Sequence, residues 1–184
     1  MQISKLDAAR NQLRTAIWLY FHEMDPISIH ALASAARMVL RKLHVHHKTG
    51  HKMLHDELID VYVKAEYRGS MINVLNSAAN FFKHADQDPE DVYHFNPKAS
   101  EMVMLDAVFA IGVLGAEDCD EFRAYRTWML VMFPHLLKEL PEGISEATLA
   151  SARSVGRREY FRLIQQQIAA LASRHQGPIG GRES

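Results

Sequence analysis

Apolar residues recur at three- and four-residue steps along most of this chain, and nowhere do β-branched residues alternate with polar ones. That period lines one face of a helix with apolar side chains and leaves no strand to pair. The fold class is therefore all-α: a helical bundle with a four-helix up-and-down core and additional C-terminal helices. Residues 1–175 are expected to form a single domain and Gln176–Ser184 a flexible tail.

The first helix is expected over Ser4–Met24, with Leu6, Leu13, Ile17, Tyr20, Phe21 and Met24 on one face. Asp25-Pro26 ends it and opens the second, because an Asp carboxylate caps free backbone N–H groups and Pro fits the first helical position. The second helix runs to Leu43, and its Ala31, Ala33, Ser34, Ala35 and Ala36 permit close approach of a neighbour. Gly50 marks a turn, a third helix covers His51–Tyr67, and Gly69-Ser70 punctuates before a fourth over Ser70–Asp86. Asp86–Pro97, with Asp-Pro and Asn-Pro steps, reads as loop. Further helices are expected over Lys98–Leu114, Asp118–Met132 and Glu146–Ser173, with Pro134 and Pro141 bracketing an irregular connection. Trp18, Trp128, Met102, Met104, Met129 and Met132 fall on apolar faces, where core packing is their default role.

A net charge of −1 gives no general pull toward nucleic acid or membrane. Met1–Arg14 has no apolar core of signal-peptide length, and the most apolar run, Ala107–Ala116 behind Asp106, is too short to span a bilayer. The single cysteine, Cys119, has no internal disulfide partner, which fits a reducing cytoplasm. Its acidic neighbours Glu117, Asp118, Asp120 and Glu121 raise a thiol pKa and make it a poor nucleophile. Charge is segregated all the same. Pro26–His55 has no acidic residue, whereas Asp86–Asp91 and Glu117–Glu121 are acidic runs.

The segment Ser70–Asp86 has the most distinctive face. Asn73, Asn76, Ser77, Asn80 and His84 fall within about a quarter-turn of a helix, opposite Met71, Ile72, Val74, Leu75, Ala78, Ala79, Phe81, Phe82 and Ala85. A solvated face usually holds Lys and Glu, so this uncharged polar stripe points toward a ligand or another protein surface. His84 is its one group that titrates near neutrality, the natural general acid or base, with Asn80 and Asn76 placed to orient it or to bond a ligand oxygen.

The layout of KLDAARNQLRTAIWLYFHEMDPISIHALASAARMVLRKL followed by SAANFFKHADQD resembles small bacterial proteins of the HEPN superfamily. The resemblance covers residues 1–96 and implies a helical bundle that works as a homodimer. Nuclease members of that family carry an arginine shortly before a histidine and cleave RNA without metal. Carried over, the histidine is His84 and the polar residue is Asn80, while Ser77, Ala78 and Ala79 stand where the arginine belongs. Arg68 lies about 160° from His84 around an ideal helix, and Lys83 about 100°. The resemblance thus implies a non-catalytic domain that binds a protein or RNA, using Asn73, Asn76, Arg37 and Arg41. A metal-independent endoribonuclease with His84 as acid/base is the alternative, its cation supplied by Arg37, Arg41 or the Arg153, Arg157, Arg158 and Arg162 group.

A third reading rests on His47, His51 and His55, spaced four apart, because two histidines at that spacing on a helix can share a metal ion. HKMLH has no glutamate after its first histidine, so it is not the zinc-protease motif. No metal or other cofactor is otherwise implied, and phosphate loops, nucleophile elbows and CxxC pairs are absent from the sequence.

Overall fold

The structure, a computed structural model, describes residues 1–84, 86, 89–136 and 144–175, with 171–175 described through their backbone alone. Among them are eight α-helices, a short 3₁₀ turn and no strand, so the all-α expectation is observed. The helices are α1 (Lys5–Phe21), α2 (Pro26–His47), α3 (Leu54–Tyr62), α4 (Ala65–Phe81), α5 (Ala99–Val113), α6 (Asp120–Met132), α7 (Glu146–Ser154) and α8 (Arg157–His175). No helix among the described residues is long and apolar enough to cross a membrane. The tail expected over Gln176–Ser184 and the connection bracketed by Pro141 lie outside the described residues.

The chain divides into two compact units, Met1–Asp118 and Cys119–Ser184. In the first, α1, α2 and α5 pack mutually around Leu13, Ile17, Phe21, Leu40, Met104 and Val108. The α3–α4 pair joins α2 more lightly: α4 buries Ala78 and Ala79, and α3 buries Ile59. In the second unit α6 packs on α7 and α8, with Trp128 against Tyr160 at 4.9 Å.

Local chemistry explains most boundaries. Ser4 and Asp7 form a reciprocal capping box at the start of α1. Asp25 accepts the Ser28 N–H at 2.7 Å and Pro26 occupies the first position of α2. That helix runs past the expected Leu43 to His47 and ends at Lys48, which is left-handed with φ 49°.

Several expectations are corrected. The helix expected over His51–Tyr67 is interrupted at Val63 and Lys64, both extended, and Arg68 caps the break by donating to the Asp60 carbonyl (2.8 Å) and the Val63 carbonyl (3.0 Å). Gly69, read as punctuation, lies inside α4. The helix of the polar stripe ends at Phe81, so His84 falls beyond it. The last helix breaks at Gly156, where φ is +75°, a conformation that glycine adopts without steric cost. Trp18 is also not a core residue: it is 41% exposed and stacks on His22 at 4.0 Å. Met132 is likewise exposed, whereas Met104 and Met129 are buried.

Candidate functional site

The first unit contains a cleft of about 380 Å³ between α2, α4, the start of α5 and the non-helical segment 93–96. It brings together five of the residues singled out by sequence, Arg37, Arg41, His55, Asn76 and Ser77. Asn73 and Asn80 are exposed and do not line it. His84 is also exposed, and its ionic neighbour among the described residues is the Asp86 carboxylate at 3.9 Å. The polar stripe is therefore split: Asn76 and Ser77 face the cleft, Asn73 and Asn80 face solvent, and His84 lies past the helix end. Ser77 is engaged as well, its hydroxyl lying 2.7 Å from the Tyr93 hydroxyl and so tying α4 to the 93–96 segment.

Behind the cleft is a residue that sequence reasoning used only as an interruption in an apolar run. Asp106 is 1% exposed and gathers donors from two other elements. Arg37 Nε donates to its Oδ2 at 2.6 Å, the Leu54 backbone N–H donates to its Oδ1 at 2.7 Å, and His55 Nδ1 lies 3.4 Å from Oδ2. Burial alone raises the Asp106 pKa, but hydrogen bonds from His55, Arg37 and Leu54 outweigh it and hold the carboxyl below its ordinary value. Beside it, Arg41 Nε donates to Asp56 Oδ2 at 2.5 Å, and Arg37 reaches the same carboxylate at 4.0 Å.

These pairs change the meaning of the basic second helix. Both cleft arginines already have a carboxylate, Arg37 with Asp106 and Arg41 with Asp56, so the acid-free run Pro26–His55 does not present bare positive charge here. A phosphate would have to compete with these partners. The arginines proposed as distant donors of a cation belong to the second unit. There Arg153 donates to the Val131 carbonyl at 2.8 Å, and Arg162 pairs with Glu159.

The three histidines of the metal reading are separated. His47 is exposed beside His46, His51 packs on His44 at 4.5 Å, and His55 is bonded to Asp106. Among the described residues, no group of three or more His, Cys, Asp or Glu is placed to hold a metal ion. His44 is structural: Nε2–H donates to the Ala110 carbonyl at 2.9 Å, which leaves Nδ1 to accept from the Thr49 hydroxyl at 2.6 Å. Burial lowers the His44 pKa despite the Ala110 bond, and His51 and His47 lower it further.

His30, on α2, is the other residue that the sequence did not single out. It is 2% exposed, lines the inner wall of the cleft, and has its Nδ1 3.1 Å from the Ser100 hydroxyl. Its Nε2 is shielded from solvent and has no hydrogen-bond partner among the described residues. An orphaned buried nitrogen costs about 1–3 kcal/mol. The Phe95 ring stands edge-on at 5.1 Å and Phe82 at 6.0 Å. Burial, and then the Lys83 ammonium, push the His30 pKa down and keep the ring neutral.

The chain matches no family model, no curated protein and no solved structure.

Proposed function

We propose that this chain is a non-catalytic, HEPN-like helical domain that works by binding, assembles as a homodimer in the cytoplasm, and takes a protein rather than RNA as its further partner. The observation that carries this reading is the uncovered apolar stripe on α3 and α4. Leu58, Val61 and Tyr62 recur at helical spacing on α3, and Tyr67, Met71 and Val74 do so on α4. All six are exposed, Tyr62 by 79% and Val74 by 66%. Solvated helices rarely keep so many large apolar groups in register, and such patches favour association. A second copy brings the same stripe, so a two-fold axis covers both at once.

The charge balance of the cleft favours a protein partner over RNA, because Arg37 and Arg41 are already matched by carboxylates. The endoribonuclease alternative has less support. A phosphorane needs a cation at the acid/base, and the ionic neighbour of His84 is the Asp86 carboxylate.

Light scattering at high micromolar concentration tests the assembly. The expected result is a dimer that Val74→Glu converts to a folded monomer, and a monomeric wild-type chain overturns the reading. A structured RNA incubated with the protein in EDTA is expected to remain intact. Cleavage that is lost in His84→Ala would establish the alternative instead.

A further inference from the structure

We infer that the cleft between α2, α4 and segment 93–96 binds a compact, neutral aromatic molecule carrying one hydrogen-bonding group, and that His30 recognises that group. The inference does not depend on the dimer.

Size comes first. At about 380 Å³ the cleft lies at the small end of the range for small-molecule sites, which suits one or two rings. Its walls decide the rest of the scaffold. Met38, Ile72, Leu75, Met102 and Val103 supply apolar surface, and Tyr93 supplies a ring face. Charge disfavours ionic ligands along the arginine wall: Arg37 and Arg41 are balanced by Asp106 and Asp56, so neither guanidinium is unmatched.

The hydrogen-bonding group follows from His30. Its Nδ1 is paired with the Ser100 hydroxyl, which can donate or accept, so either tautomer is available to the ring. Nε2 then offers an N–H or a lone pair, and neither is used. A phenolic hydroxyl can meet both forms and an indole N–H meets one. The Phe95 ring, which stands edge-on to His30, sits on a segment outside the helices. A ligand ring reaches Nε2 by displacing that side chain and taking its place against the imidazole. Protein interiors seldom leave such a nitrogen orphaned, and a ligand hydroxyl or N–H removes the deficit.

The test titrates the full chain with phenol, indole, toluene and benzoate, following backbone amide shifts. Phenol and indole are expected to move the amides of Asn76, Ala79 and Val103, with toluene about tenfold weaker for want of the hydrogen bond and benzoate weaker still. His30→Phe keeps a ring in the aromatic cluster and removes Nε2, so phenol is expected to fall to the affinity of toluene. Ser34→Phe fills the cleft and is expected to abolish binding of all four. Thermal melts establish that each variant folds; should His30→Phe unfold, the phenol-to-toluene ratio on the wild-type chain decides. The inference is overturned by no shifts at millimolar phenol and indole, by shifts confined to residues outside the cleft, by equal affinity for phenol and toluene, or by undiminished binding in Ser34→Phe.

Discussion

Asn73, Asn80 and His84 stand in solvent on or just past α4, while Asp106 is enclosed on α5 with donors from α2 and α3 around it. The first group is what a reader of the sequence notices, because uncharged polar residues at helical spacing are unusual on a solvated face. The second is a single carboxylate in an apolar run. The structure reverses their weight: the conspicuous stripe makes few contacts, and the inconspicuous aspartate joins three helices. Spacing along one helix shows which residues share a face, but what that face meets depends on partners far away in sequence.

The two regions are expected to respond very differently when one member of each is removed. Asp106→Ala leaves the Arg37 guanidinium buried without its carboxylate and the Leu54 N–H without an acceptor. It is expected to cost about 3–5 kcal/mol, read as a large fall in the urea midpoint. A loss below about 1 kcal/mol would mean that the network relaxes onto Asp56, and that Asp106 is not the joint described above.

Acid titration gives the next largest effect, and its sign follows from the buried histidines. His30 and His44 both have folded pKa values below the ordinary 6.5, so the unfolded chain takes up protons first as the pH falls. Their contribution is complete above about pH 7 and declines as the pH drops through about 6.5 toward the folded values. Asp106 contributes nothing to that slope. Its pKa is lowered from 3.8, so its share persists above that value and is lost only in stronger acid, as the pH falls through its folded pKa. Urea midpoints measured from about pH 7.5 down to about pH 5 should therefore fall, and a flat profile would show that the two imidazoles are not held neutral.

The smallest effect belongs to the stripe. His84→Ala and Asn80→Ala are each expected to change stability by less than about 0.5 kcal/mol, since both side chains are exposed. A loss as large as that of Asp106→Ala would erase the distinction between the two regions.

Much of the fold was legible. The Asp25-Pro26 signal locates the start of α2, and the periodicity places the start of α1 within one residue, and α5 and α6 within two residues, of their observed bounds. The break between α3 and α4 was not legible. No Gly or Pro marks Val63 and Lys64, and the side chain that caps the break, Arg68, comes from the following helix. Gly69 misled because a glycine inside an exposed helix costs only about 1 kcal/mol and is tolerated there. In the site, Arg37, Arg41 and Asn76 were found from local pattern, and the structure gathers them around one cleft. Asp106 and His30 were not found. Their partners lie 52, 69 and 70 residues away, beyond any periodicity argument, although a lone Asp in an otherwise apolar run was itself a signal that a buried charge needs a partner.

The N-terminus of α3 has a consequence for how the chain acquires its shape. Met53 gives that helix no side-chain cap, and the carboxylate that accepts the Leu54 N–H comes from α5. A nine-residue helix is too short to persist in water by itself. The cap therefore cannot act until the chain between residues 54 and 106 has been looped and α5 has docked on α2. On this account α3 is a late arrival in folding: α1, α2 and α5 set the rate of assembly, and interactions within α3 govern mainly how slowly the native state comes apart.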